Sequence, residues 1–396
     1  MNQTEKNWTI ITLASVPLIM TLGNSMLIPI LPLMEKQLHI SKFQSSLIIT
    51  VYSVVAIFLI PIAGFLSDRY GRKKVIIPAL IVTGIGGFIA GIASWKLSEP
   101  FVLILVGRIL QGIGAAGAMP IVFPLIGDIF PRDEEASATL GTIETSNIVG
   151  KVLSPILGSL LAAVIWFLPF FSIPLFSLIS LLMIIFLIKK EQTEDEPISL
   201  ATYKKMIKDV YAEHRRWLMA VFFIGAILMF ILFGFLFYLS TILEEKFNFE
   251  GVVKGLLLAI PLLSLAIAAY VTGKLIKDDL RVMKWISFVG IVITGSSVLG
   301  LSFVERPLLL LVVFLFTGLG IGISLPSLDA LLTNSLSKDV RGIVTSIYSA
   351  MRFIGVAAGP PVVAVLMKHD LFWMISLFAL LALGGSILVF KQIQPS

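Results

Sequence analysis

Phe101 to Ile126 reads FVLILVGRILQGIGAAGAMPIVFPLI, an apolar run interrupted by a single charge, Arg108. About 20 consecutive apolar residues suffice for an α-helix to cross the hydrocarbon core of a bilayer. A second run of this kind, Leu308 to Leu332, lies in the other half of the chain. Membrane β-barrels are instead written as ten-residue segments of alternating polarity, so these unbroken runs exclude a barrel. The rest of the sequence shares this character. Of 396 residues, 57% are hydrophobic and 14% charged, the mean hydropathy is +1.00, and a soluble domain would carry about 25% charge. Twelve spans of ~20 residues need about 240, which leaves only short loops. The expected fold class is an all-α polytopic membrane protein.

Runs long enough to span fall near 9–33, 44–66, 74–95, 101–126, 137–164, 167–188, 217–240, 252–275, 282–303, 307–332, 342–366 and 372–390. Six spans, a gap and six more divide the chain into a bundle over 1–188, a connector over 189–216 and a bundle over 217–396. The connector opens with Glu191, Glu194, Asp195 and Glu196 and continues through Tyr203-Lys204-Lys205-Met206-Ile207-Lys208 to His214-Arg215-Arg216. It reads as a polar linker, partly an amphipathic helix at the membrane surface. The first apolar run is too long for a cleaved signal and lacks a small-residue cleavage site, so the first helix is expected to be retained.

Counting Lys and Arg fixes the expected orientation. With the N-terminus inside, 20 of the 30 basic residues fall on one side and 7 on the other, while Arg108, Lys151 and Arg352 lie within spans. Both termini and the connector are therefore expected to be cytoplasmic. The net charge of +6 is explained by these orienting loops, and nucleic acid is not an expected partner. An internal repeat is also visible. Gly112, Gly114 and Pro120 recur as Gly318, Gly320 and Pro326, an offset of 206, and Gly150, Ser154 and Pro155 recur as Gly355, Gly359 and Pro360, an offset of 205 for the first and last. Many transporters are built from such related halves.

The loop after the second span is Gly64-Phe65-Leu66-Ser67-Asp68-Arg69-Tyr70-Gly71-Arg72-Lys73-Lys74. An orienting loop needs the cations, but not two glycines and an aspartate at fixed spacing. The segment matches the signature loop of the major facilitator superfamily. That resemblance implies twelve helices in two pseudo-symmetric six-helix bundles, with Asp68, Arg69 and Arg72, joined by Gly64, Gly71 and Asp128, forming a cytoplasmic latch for the outward-open state. The corresponding loop of the second half, Gly273 to Arg281, keeps the first glycine, the leucine and a basic tail, so the latch is expected mainly in the first half. Leu22-Gly23 with Pro29 and Pro32 resembles the first-helix motif of the twelve-span drug:proton antiporters. Arg108 with Gln111-Gly112 resembles their fourth-helix motif, whose arginine is linked to proton coupling. Gly141, Gly150, Ser154, Pro155 and Gly158 resemble the fifth-helix motif that bends the helix and brings helices close. Ser154 and Ser159 stand where that family has glycines.

A charge at a helix centre costs about 3 kcal/mol on insertion scales, so buried ionisable residues are functional candidates. Among the acidic residues only Glu144 falls deep within a span; Asp128 and Asp329 lie near expected cytoplasmic ends. Glu144 and Lys151 are seven residues apart, on one helix face and about 10 Å apart along the axis. Each is expected to pair across a cavity, with Arg108 or Arg352 as partners for Glu144. The functional reading has Glu144 carrying the proton and Arg108 tuning it, against a fixed buried ion pair. Lys151 and Arg352 could bind an anionic group or neutralise Glu144. Asn24 could face the cavity or bridge helices. Phe230, Phe233 and Phe237 form a stripe that could pack or line a site for flat apolar substrates.

Cysteine is absent and His39, His214 and His369 lie outside the apolar runs. No thiolate, disulfide, zinc site, metal cluster or nucleotide-binding loop is written in the chain, so an enzyme is not expected and no cofactor is required. The energy source expected is an ion gradient, with protons as the coupling ion. The leading functional reading is multidrug-type efflux of small amphipathic compounds from the cell, across the plasma membrane, by a monomeric multi-pass antiporter. The alternative is transport of a specific anionic metabolite, a siderophore-like or a lipid-linked solute, suggested by three intramembrane cations against one deep carboxylate. A third reading, a substrate-free receptor or scaffold, would not depend on the latch.

Overall fold

Proline sets the first break. The helix that begins at a capping box of Asn2 and Glu5, α1 (Gln3–Ser25), passes through Pro17 and ends ahead of Pro29, which has no N–H for the Ser25 carbonyl. A 3₁₀ turn, Ile28–Ile30, carries the chain into α2 (Leu31–Leu38), so the expected span 9–33 is two helices end to end. The structure, a computed structural model, describes residues 2–130, 132–188, 200–276, 279–304, 306–336 and 338–393. The acidic stretch expected in the connector, Glu191 to Glu196, lies outside them, as does Asp278 of the second-half loop.

The remaining helices of the first bundle are α3 (Lys42–Tyr70), α4 (Arg72–Lys96), α5 (Phe101–Ile129), α6 (Asp133–Val164) and α7 (Leu168–Leu187). Those of the second are α8 (Leu200–Glu245), α9 (Gly251–Leu275), α10 (Leu280–Gly300), α11 (Pro307–Asn334), α12 (Lys338–Leu366) and α13 (Leu371–Gln392). Twelve stretches are long and apolar enough to span, and no strand occurs among the described residues. The seventh span differs most from expectation. The chain is already helical from Leu200, and α8 runs on to Glu245 with one non-helical residue, His214 at φ −117° and ψ 17°. Ahead of that kink, Met206, Ile207 and Val210 lie against Val340, Val344 and Ile347 of α12, while Lys208, Asp209 and Glu213 stay exposed. The amphipathic stretch of the connector thus covers a helix of the second bundle.

The repeat in the sequence is a repeat in packing. A Cβ on Gly114 of α5 would overlap Thr83 Oγ1 and the Ala79 carbonyl of α4, and a Cβ on Gly320 of α11 would overlap Thr294 Oγ1 and the Gly290 carbonyl of α10. Likewise Gly150 of α6 lies against Leu18 of α1, and Gly355 of α12 against the Ala226 carbonyl of α8. Only glycine allows backbones this close, and close approach is how membrane helices gain van der Waals contact where no hydrophobic force separates protein from lipid. The same pairs of helices therefore meet in each half, related by the offset of about 206 residues.

Between the halves, α3 lies along α12 and α6 along α9. Thr50 Oγ1 donates to the Ala357 carbonyl at 2.8 Å, and Ser240 Oγ donates to the Ile28 carbonyl at 3.0 Å. The Pro155 carbonyl of α6 presses on Gly255 of α9, where a Cβ would not fit. With twelve spans, both termini and the connector share one side of the molecule, called here the terminal side; the opposite end is the distal side.

Candidate functional site

Ion pairs that cross between the bundles gather at the distal end. Lys36 of α2 reaches Glu244 of α8 at 2.6 Å and Glu250 at 3.4 Å, and Lys42 of α3 reaches Glu245 at 2.7 Å. Glu244 also holds Lys254 of α9 at 2.5 Å, both side chains almost fully buried. Ser45 Oγ donates to Glu35 beside this group. Two left-handed residues shape the turns here, His39 at φ 51° and Asn248 at φ 56°. Charge pairing explains how these groups tolerate one another: Lys36, Lys42 and Lys254 each reach at least one of Glu244, Glu245 and Glu250, while the fourth carboxylate, Glu35, takes the hydrogen bond from Ser45. The sequence sorted the lysines only by side, since the partners of Lys36 and Lys42 lie some two hundred positions away.

Just beneath this seam lies a cavity lined by Lys151 and Pro155 of α6, Leu232, Phe233 and Leu236 of α8, and Leu258 and Leu262 of α9. Lys151 is its charged group. Among the described residues no carboxylate oxygen lies within 4 Å of its Nζ, although Glu144, Asp329 and Arg352 are within electrostatic reach. The space is only about 20 Å³ in this state, room for a water and not for a solute; its lone ammonium against a leucine and phenylalanine wall can meet an anion carried on an apolar body once the bundles part.

Glu144 is on the same helix, one third of the way along, and its side chain is exposed rather than buried. Asn147 Nδ2 donates to it at 3.3 Å, and Asn147 Oδ1 in turn accepts from Thr21 Oγ1 at 2.6 Å. Across the cleft from Glu144 stand Asp329 of α11 and Arg352 of α12, which pair at 3.5 Å. Of the two partners expected for Glu144, the structure brings Arg352 near and leaves Arg108 elsewhere.

Arg108 is fully buried inside the first bundle. Its Nη2 donates to Asn24 Oδ1 at 2.7 Å, Nε to the Ile48 carbonyl at 2.8 Å, and Nη1 to the Gly23 carbonyl at 3.1 Å and to Gln111 Oε1. The Tyr52 ring lies against it, 4.5 Å from the guanidinium carbon. Gly23 is in the last turn of α1, where carbonyls lack a helical partner, so the arginine satisfies one of the acceptors of that helix end. It ties α1, α3 and α5 together. Asn24 accordingly serves as an interhelical acceptor, the second of its two expected roles. The phenylalanine stripe divides too: Phe233 lines the cavity, Phe237 is buried in the core, and Phe230 stacks edge-on against Phe378 at 5.5 Å.

On the terminal side, Gly71 at φ 102° breaks α3 from α4, a backbone angle that glycine alone adopts freely. Arg72 then pairs with Asp68 and, through Nε, with Asp128 of α5 at 3.0 Å, and donates to Ser67 Oγ at 3.1 Å. These contacts join three helices of the first bundle. Arg69 stands outside them, 5.5 Å from the Tyr70 ring centroid, and Gly64 faces Ser346 of α12. In the bending motif, Ser154 Oγ donates back to the Gly150 carbonyl, Gly158 abuts the Met26 carbonyl, and Gly141 has nothing within 4 Å of where a Cβ would stand.

This architecture is that of known carriers. A family model described as the Major Facilitator Superfamily matches residues 13–360. The chain is 52% identical to the "Bacillibactin exporter" of Bacillus subtilis over 91% of this chain and 90% of that protein. It is 25% identical to "Multidrug resistance protein 2" of Bacillus subtilis, over 98% and 96% of the two chains. The "Tetracycline resistance protein, class C" of Escherichia coli is 26% identical over 86% of this chain and 85% of its own. Among solved structures, the human organic anion transporter MFSD10 superposes with a TM-score of 0.75 over 98% of this chain and 100% of that one; at 17% identity it bears on the fold alone. Twelve spans in two repeated bundles, the signature loop and these relatives lead to one conclusion: the chain belongs to the major facilitator superfamily, as a multi-pass membrane transporter and not an enzyme.

Proposed function

We propose that the protein exports an anionic, siderophore-like solute across the plasma membrane by alternating access of its two bundles, acting as a single chain and driven by an ion gradient. The observation that carries this reading is Lys151, a cation lining the apolar cavity under the distal seam with no carboxylate in ion-pair range among the described residues. A 52% identical relative named as a bacillibactin exporter supports the substrate class and direction. In this reading the terminal side, favoured as cytoplasmic by the Lys and Arg count, is the side of substrate entry, and the ion pairs of the distal seam are what must part for release. Glu144, exposed on α6, is the proton carrier in this reading, because water can reach its carboxylate.

Multidrug-type efflux is the second reading. The leucine and phenylalanine lining of the cavity favours it, as do relatives named for multidrug and tetracycline resistance at 25% and 26% identity. Unfolding temperatures of the purified protein with anionic, neutral and cationic compounds separate the two, because a ligand that binds only the folded state raises its apparent stability. Bacillibactin raises the unfolding temperature and lipophilic cations leave it unchanged if the anion reading is right; the reverse pattern overturns it.

A further inference from the structure

The two arginines inside the spans are used in opposite ways. Arg108 is saturated, with four hydrogen bonds and a ring against its face. Arg352 makes one bond, Nη1 to Asp329 Oδ1 at 3.5 Å, and rests on the Tyr348 ring at 5.6 Å. Its side chain is 24% exposed and that of Asp329 43% exposed, so water reaches both from the cleft. A guanidinium offers five N–H donors in a planar fork matched to carboxylates and similar anions. Here most of that fork is unoccupied and one long contact neutralises it. Lys151 and Glu144 of the opposite bundle are the other charged groups in electrostatic reach.

We propose that Asp329 is the resident counter-ion of Arg352, displaced when an anionic substrate enters the fork, and that it thereby sets the charge selectivity of binding and eases release. This rests on the anion reading given above. Of the carboxylates near the two cations, Glu144 is only in electrostatic reach, so an anion entering the guanidinium fork displaces Asp329. Asp329 is the one in contact, on a helix adjacent in sequence to that of Arg352, and its return to the guanidinium expels the anion. Its position has no symmetry counterpart: 206 residues earlier stands Phe123. The second bundle alone carries this pair, which suits a site that holds one anion rather than two.

The test is binding to purified protein in nanodiscs, with bacillibactin and salicylate as probe anions. Asp329→Asn removes the competitor and is expected to tighten anion binding about two- to fivefold, the upper range for a partly exposed ion pair, while lowering the maximal rate of transport through slower release. Asp329→Glu retains the counter-ion and should bind as the wild type does. In the Arg352→Gln background, Asp329→Asn should change nothing, since the two act through one contact. If the wild type binds either anion but Asp329→Asn binds it no more tightly, at an unaltered unfolding temperature, the counter-ion proposal is overturned and the anion reading stands. Should Asp329→Asn fail to fold, unchanged affinity in Arg352→Gln overturns it instead. A wild type that binds neither probe overturns both.

Discussion

Replacing Lys36 by Gln removes the cation that bridges the bundles at the distal seam. Its Nζ is 2.6 Å from a carboxylate oxygen of Glu244 and 3.4 Å from one of Glu250, both in the second bundle. Coulomb's law at a water-like dielectric gives about 1.6 kcal/mol for the shorter pair. Exposure lowers the yield, and surface pairs are worth ~0–1 kcal/mol. Lys36 is 57% exposed but Glu244 only 4%, which places this pair above the surface value. The Glu250 pair, 69% exposed on the acid, adds nothing countable. Glu244 keeps Lys254, so it is not left as an unpaired buried charge when Lys36 is lost. The seam is therefore weakened by about 1–2 kcal/mol, and the ratio of distally open to distally closed molecules rises about five- to thirtyfold. The chain contains no cysteine, so spin labels at Gln37→Cys and Asn248→Cys, exposed positions on the two sides of the seam, report this separation without background. Pulsed electron–electron distance measurements should show the longer distance gaining population in Lys36→Gln and returning in Lys36→Arg. An unchanged distance distribution would refute the claim that this ion pair holds the two bundles together.

Arg108→Lys keeps the charge but loses the fork; losing two or more charge-assisted bonds to Asn24, Gly23 and Ile48 costs about 3 kcal/mol. A lower unfolding temperature with unaltered pH dependence of transport is expected, and a selective change in proton coupling with full stability would show that Arg108 acts on the coupling group. Glu144→Gln should still bind substrate yet no longer respond to an imposed pH gradient; gradient-driven flux equal to wild type would remove Glu144 from the coupling step. Asp68→Asn takes a partner from Arg72 and is expected to cut the maximal transport rate at least tenfold without altering KM. Full activity in that variant would show that the Asp68–Arg72 pair does not serve the transport cycle.

The spans were legible because burial in lipid demands unbroken apolar runs, and Phe101 to Ile126 states that demand plainly. The repeat was legible for a related reason: Gly114 and Gly320 mark places where only hydrogen fits between backbones. Helix continuity through polar sequence was not. Residues 200–216 are too charged to announce a membrane helix, yet they continue α8 because Met206, Ile207 and Val210 find cover on α12. Charge partners were hidden by separation along the chain. Nothing near Arg108 in sequence shows that Asn24, 84 positions away, will accept from it, or that the Gly23 carbonyl in the last turn of α1 will do the same. The same holds for Lys36 and Glu244, which read as loop charges until the halves come together. Asp329 reads in sequence only as a residue near a cytoplasmic helix end; its meaning comes from Arg352, on the neighbouring helix. Phe230, Phe233 and Phe237 share a periodicity but not an environment, since periodicity names a face and not what the face meets.

Flux into proteoliposomes containing only this protein and an imposed ion gradient tests the central claim most directly. Bacillibactin should accumulate under the gradient, stop when the gradient is collapsed, and fall at least tenfold in Lys151→Gln, which removes the cation lining the cavity. Gradient-driven accumulation of a lipophilic cation in its place, with bacillibactin not moved and Lys151→Gln without effect, would contradict the account.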